Sequence, residues 1–142
     1  MALLKGNAGT LDMEMEEGTL WEDTLLHLTD EATDETGDPE PFEAGTLAYI
    51  TIRDEIGGTV LAQLGPADDG LDGTTEVTPE TGAIAYSLPV QETIGLAFPS
   101  DGSPGVVEVL IYPGGDEDRA YRLLEGALIY NKRVSVLPEV GS

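Results

Sequence analysis

The run Val106–Tyr112, the turn Pro113-Gly114-Gly115-Asp116-Glu117-Asp118 and the return run Arg119–Tyr130 constrain the fold more than any other stretch. Two apolar segments rich in β-branched and aromatic residues flank a turn of proline, glycine and acids. That pattern describes a long β-hairpin. A lone hairpin is marginal in water, because nothing covers its apolar face. The rest of the chain must supply strands that do.

Several stretches fit that need. Leu11-Asp12-Met13-Glu14-Met15-Glu16 alternates apolar and acidic residues, the pattern of a strand with one wet face, and Gly18 breaks it. Thr19–Thr29 puts Thr24, Leu26 and Leu28 on one face and Leu25 and His27 on the other. Trp21, Leu25 and Leu28 would also share a helical stripe, but β-type neighbours on both sides need a partner, which favours a strand. Thr46–Arg53 is the clearest central strand. Asp54–Gly58 is a turn, and Thr59–Leu64 runs back as its hairpin partner. Glu76–Thr78 and Ala83–Leu88 are two more strands, joined at Thr81-Gly82. Val90–Ile94 suits a short helical turn. Asp30–Gly45, residues 65–75 and Leu96–Gly105 are loops, and Asn131–Val136 continues or re-pairs the last strand.

About seven or eight short strands at this spacing predict one all-β domain, a sandwich or a barrel. The expected layout is a flexible arm at 1–9, a β-domain at 10–136 and a tail at 137–142. The 18 glycines and 9 prolines are scattered, so they punctuate turns and mark no repeat.

Charge narrows the partners. With 28 acidic and 6 basic residues the net charge is −22. Such a surface repels phosphate backbones and anionic membranes, so neither nucleic acid nor membrane is an expected partner. The acidity keeps the chain soluble before assembly, complements a basic partner, or reflects a high-salt host. The chain has no cysteine, so disulfides, thiolate chemistry and Cys-based zinc sites are excluded. The start Met1-Ala2-Leu3-Leu4-Lys5 is too short in apolar residues for a secretory signal, and no window approaches the ~18 apolar residues of a membrane span. Synthesis in the cytoplasm is the expectation.

Candidate chemistry is sparse. His27, the single histidine, has no second imidazole to form a site with, and reads as a strand residue on a half-wet face. Asp68, Asp69 and Asp72 are calcium candidates by oxygen density, without the EF-hand spacing or its closing Glu. Asp116-Glu117-Asp118 is similar. Asp and Gly equally suit a solvated turn. Carboxylate pairs of glycosidase type arise by chance among so many acids. Gly57-Gly58 and Gly114-Gly115 lack the lysine and the helix of a phosphate loop. No catalytic residue, cofactor or metal is expected. Trp21, Tyr49, Tyr86, Tyr112, Tyr121 and Tyr130 are the aromatic anchors. Trp21, Phe42, Tyr130 and Arg133 are interface candidates, and Arg53 is expected to be structural.

A series of segments, in order, resembles a known pattern: Leu26-His27-Leu28-Thr29-Asp30, Ile50-Thr51-Ile52-Arg53-Asp54, Gly57-Gly58-Thr59-Val60-Leu61, Thr81-Gly82-Ala83-Ile84 and Arg122-Leu123-Leu124-Glu125-Gly126-Ala127-Leu128. It is similar to the small immunoglobulin-like virion proteins of tailed bacteriophages, and to the N-terminal domain of phage upper-baseplate proteins. The similarity covers roughly residues 10–136. The loop Asp30–Gly45 is longer and more acidic than that pattern, and Asn131–Val140 is an addition to it. The resemblance implies an immunoglobulin-like antiparallel β-sandwich without an active site. It implies a structural part of the virion, made in the host cytoplasm. The part would sit at the tail tip, baseplate or fibre attachment, or alternatively decorate the capsid surface. Its partners would be other virion proteins and copies of itself in a symmetric array.

Overall fold

The computed structural model of the chain describes residues 2–5, 12–28, 41–99 and 103–131. Val106–Tyr130 is the hairpin its sequence describes. β8 (Gly105–Tyr112) pairs antiparallel with β9 (Tyr121–Asn131), from Gly105↔Leu128 to Ile111↔Tyr121. Two single turns of 3-10 helix, Pro113–Gly115 and Glu117–Arg119, make the connection. The Asp116 side chain accepts the Asp118 N–H and tightens the second turn.

The other strands are β1 (Ala2–Lys5), β2 (Met13–Glu16), β3 (Trp21–Leu28), β4 (Leu47–Arg53), β5 (Val60–Gly65), β6 (Gly73–Thr78) and β7 (Ala83–Leu88). They join one sheet in the order β1-β3-β7-β6-β5-β4-β8-β9-β2. β4 lies in its middle and pairs along its whole length with β8. The expected helical turn is present at Val90–Thr93. Ala2–Lys5, within the segment read as an arm, runs as a strand parallel to β3. Asp30–Glu40 and the tail 137–142 lie outside the described residues.

The all-β expectation holds. The pairing is mixed, however, because β1–β3, β2–β9 and β5–β6 are parallel. Parallel neighbours normally need a long crossover. β5 and β6 avoid one because only their ends pair, Leu64↔Gly73 and Gly65↔Thr74. A short loop therefore suffices. Gly73 is required at that junction, since a Cβ there would lie 2.5 Å from the Ser87 carbonyl oxygen and 2.7 Å from Leu64 Cγ.

Alternation fills one face of the sheet. Met13, Met15, Trp21, Leu25, Ile50, Ile52, Leu64, Ile84, Leu88, Val107, Val109, Ile111, Leu123 and Leu128 are buried in one cluster. Each buried Leu or Ile contributes about 1.5–3 kcal/mol. The residues between them, such as Glu14, Glu22, Gln63 and Glu76, face water.

The sheet is nearly closed on itself. β2 and β3 lie towards its opposite ends, yet only Glu17–Leu20 separate them in the chain. Trp21 Nε1 on β3 donates to the Glu14 carbonyl on β2 at 2.9 Å. One end of the roll is stoppered by the segment after β7. Thr93, fully buried, has its Oγ1 2.9 Å from the carbonyls of both Thr19 and Val90, and it accepts the Gly18 N–H at 3.1 Å. The Tyr130 hydroxyl donates to the Thr93 carbonyl at 2.5 Å, and its ring stacks on Phe98 at 4.6 Å.

A second buried hydroxyl repairs a gap in the ladder. Continuing the β4–β5 register from Ile50↔Leu64 by two residues brings Pro66 opposite Ala48. Proline has no N–H to give. Thr75 Oγ1 on β6 reaches past the end of β5 and donates to the Ala48 carbonyl at 2.6 Å.

Candidate functional site

Three described side chains carry positive charge where they can be placed, Arg53, Arg119 and Arg122, and all three are paired. Arg53 on β4 meets Glu108 on β8 at 3.1 Å and donates to the Gly58 carbonyl at 2.9 Å, which pins the β4–β5 turn. Arg122 on β9 meets the other Glu108 oxygen at 3.4 Å and Glu125 at 3.0 Å. The chain of charges crosses three strands on the outer face. Arg119 pairs with Glu43 at 3.0 Å and Asp116 at 3.4 Å, and the bond to Glu43 holds its guanidinium above its ordinary pKa. Arg53 is structural, as its sequence position suggests.

The tyrosines split between core and surface. Tyr49 donates to Asp69 at 2.5 Å and packs on Tyr112 with ring centroids 4.8 Å apart. That hydrogen bond, followed by burial, pushes the Tyr49 phenol up to about 12. Burial raises Tyr86 further, aided by the Asp23 charge, and burial also raises Tyr130.

Asp68 and Asp69 lie in the exposed turn Ala67–Asp69, and Asp72 follows it. Their carboxylates do not converge. Asp69 accepts from Tyr49, and Asp72 accepts the Gln63 N–H at 3.0 Å. Among the described residues no three His, Cys, Asp or Glu side chains form a group that could hold a metal. His27 lies on β3 opposite Leu4, and its side chain falls outside the described residues.

The interface candidates fare differently. Trp21 is only 7% exposed and serves the core, tilted against Tyr86 with ring centroids 4.6 Å apart. Phe42 packs against the core, and its N–H donates to the Pro79 carbonyl. Tyr130 is half-buried in the stopper. Arg133 lies outside the described residues. None of the described three offers a projecting anchor.

Among the described residues, two outer surfaces have shape. One is a trough of about 480 Å³ over β3, β7 and β6, lined by Glu22, Asp23, Thr24, Thr74, Glu76 and Ser87. The other is a more apolar groove of about 390 Å³ between the β4–β5 turn and the β8–β9 pair. Its walls include Ile56, Pro104, Val106, Gly126 and Ala127, with Glu55 and Glu125 at its rim. Ile56 is 77% exposed at the tip of its turn. Leaving such a side chain in water forgoes about 1.5–3 kcal/mol of burial.

Beside that groove lies a stretch of sheet edge that no described strand covers. β9 has 11 residues, but β2 covers only Leu128–Asn131. The Ala127 N–H points away from β8, to the Asp12 carboxylate at 3.3 Å, and the Asn131 carbonyl accepts from Glu17 on that same side. Strand groups alternate with period two. The N–H and C=O of Glu125 therefore face the open side too, and no described strand pairs with them. An edge of this kind is a template for another strand. The strand is legible in the sequence and the edge is not, because the edge follows from a register that pairs β2 with only the last four residues of β9.

Together these features define an all-β protein, built on one rolled mixed sheet with a stretch of β9 unpaired among the described residues and a neighbouring groove. No family model matches the chain, and no curated protein matches it.

Proposed function

We propose that the chain is a non-enzymatic assembly module, joined to its neighbours by strand addition on β9. The observation that carries this reading is the stretch of β9 before Leu128 that no described strand covers, with the Glu125 backbone groups directed outward. Backbone hydrogen bonds give such a joint affinity, and side chains on alternate positions give it selectivity. The resemblance of residues 10–136 to immunoglobulin-like phage proteins supplies the setting. In this reading the protein is a structural part of a virion at the tail tip, baseplate or fibre attachment, and its rolled sheet is a variant of the immunoglobulin-like sandwich. Copies in a symmetric array multiply contacts that are individually weak.

The acidic trough over β3, β7 and β6 favours one second reading, decoration of a capsid with that face outward. Quantitative mass spectrometry of purified particles tests both. A tail part is present at up to about a dozen copies, and a decoration protein at on the order of hundreds. Absence from purified particles contradicts the virion setting altogether.

A further inference from the structure

We propose that the groove beside β9 selects the added strand, and that the strand it takes is an extended segment of a different protein with an aliphatic residue two positions from a lysine or arginine, both on one face. The proposal rests on the strand-addition reading and names the chemistry of its partner.

The geometry supports it first. On the outer face Val106 sits opposite Ala127, and Glu108 opposite Glu125. Ala127 is small, and Gly126 beside it has no side chain. A strand laid along the edge at Glu125 would have its outward side chains next to Glu125 and Ala127. An aliphatic side chain beside Ala127 then stands at the β9 side of the groove that Val106, Pro104 and Ile56 also line. Ile56, 77% exposed, is the apolar side chain that closing this groove would cover.

Charge supports it second, and decides between occupants. Glu55 stands at the rim, with no partner for its carboxylate among the described residues. Glu125 supplies a second carboxylate, shared with Arg122. A copy of this chain carries −22 and brings its own repulsion to the contact. A basic segment is attracted instead, and steered to the site faster at low salt.

The test is a binding titration followed by NMR on the whole chain, with three acetylated probe peptides of about eight residues. In the first, the Lys-Val peptide, Lys and Val take turns on one face with Ser between them (Ser-Lys-Ser-Val); in the second, Lys-Ser, each Val is Ser; in the third, Glu-Val, each Lys is Glu. The Lys-Val peptide is expected to shift the amides of Glu55, Ile56, Val106 and Ala127, and to slow hydrogen exchange at the Glu125 amide at least about tenfold. The other two bind at least about tenfold more weakly. Glu55→Lys and Ile56→Ser, both in an exposed turn, weaken the Lys-Val peptide by about tenfold, as does Ala127→Arg. Equal binding of the Lys-Ser peptide, or shifts confined to the trough over β3, β7 and β6, overturns the proposal. Protection at Glu125 that ignores all three substitutions overturns the groove and keeps the strand-addition reading. Groove shifts without protection at Glu125 overturn the strand-addition reading itself.

Discussion

The Trp21 indole donates to the Glu14 carbonyl across 2.9 Å, and so ties the two ends of the sheet together. Glu14 has its outward side chain on β2, where its carboxylate accepts from Asn131 Nδ2 on β9 at 2.6 Å. Its backbone carbonyl is turned the other way, towards β3. One residue thus joins the last strands of the sheet to the second. Trp21→Phe keeps most of the packing and removes this bond. The expected loss is about 1–3 kcal/mol, read by urea denaturation with circular dichroism. Because Trp21 is the single tryptophan and is buried, its emission in the parent is blue-shifted and moves red on unfolding.

Thr75 is a second closure. Thr75→Val has nearly the same volume but leaves the buried Ala48 carbonyl without a donor, and is expected to cost about 1–3 kcal/mol. Thr75→Ser keeps the hydroxyl and should retain most of the stability. A serine variant as damaged as the valine one would show that packing, and not the bond, sets the effect.

Tyr49 carries a pH prediction. Its folded pKa, about 12, lies above the ordinary value of 10.0, so the fold favours the neutral phenol. The stabilisation is fully present below pH 10 and is lost as the pH rises through about 12. Asp69→Asn removes the acceptor charge and should lower the Tyr49 pKa towards 10.0. The difference in phenolate absorbance between the parent and Tyr49→Phe isolates this one titration.

Glu108 divides the ion pairs into those that matter and those that do not. It is 19% exposed and serves both Arg53 and Arg122, whereas Glu43 is 58% exposed and serves Arg119. Glu108→Gln is expected to cost about 1 kcal/mol, and Glu43→Gln less than about 0.5 kcal/mol. A thermal or urea midpoint for each variant checks the order.

Much of the fold is legible in the sequence, for a physical reason. Alternation marks which residues face the core, so β2, β4, β5, β7 and the β8–β9 hairpin follow from the pattern. Alternation does not say which strand lies beside which. The parallel contacts of β1 with β3 and β2 with β9 depend on register, which no local pattern encodes. Ala2–Lys5 is short and followed by Gly6, and carries no strand signal of its own. Thr75 and Thr93 look like any other threonine until their burial and partners are seen. The site was legible only as an expectation that edges matter. Trp21, an aromatic anchor and interface candidate by residue type, is 7% exposed in the chain and packs on Tyr86.

The joint itself can be tested at one atom. Glu125→Pro removes the N–H that faces the open side and leaves the bonds to β8 in place, whereas Glu125→Ala keeps that N–H. The measurement is the copy number of each variant in particles assembled with it, alongside a melting curve showing that each folds. Strand addition on β9 predicts at least about a tenfold loss for Glu125→Pro and a loss of no more than about threefold, from its carboxylate alone, for Glu125→Ala. Parental incorporation of a folded Glu125→Pro chain would contradict the account.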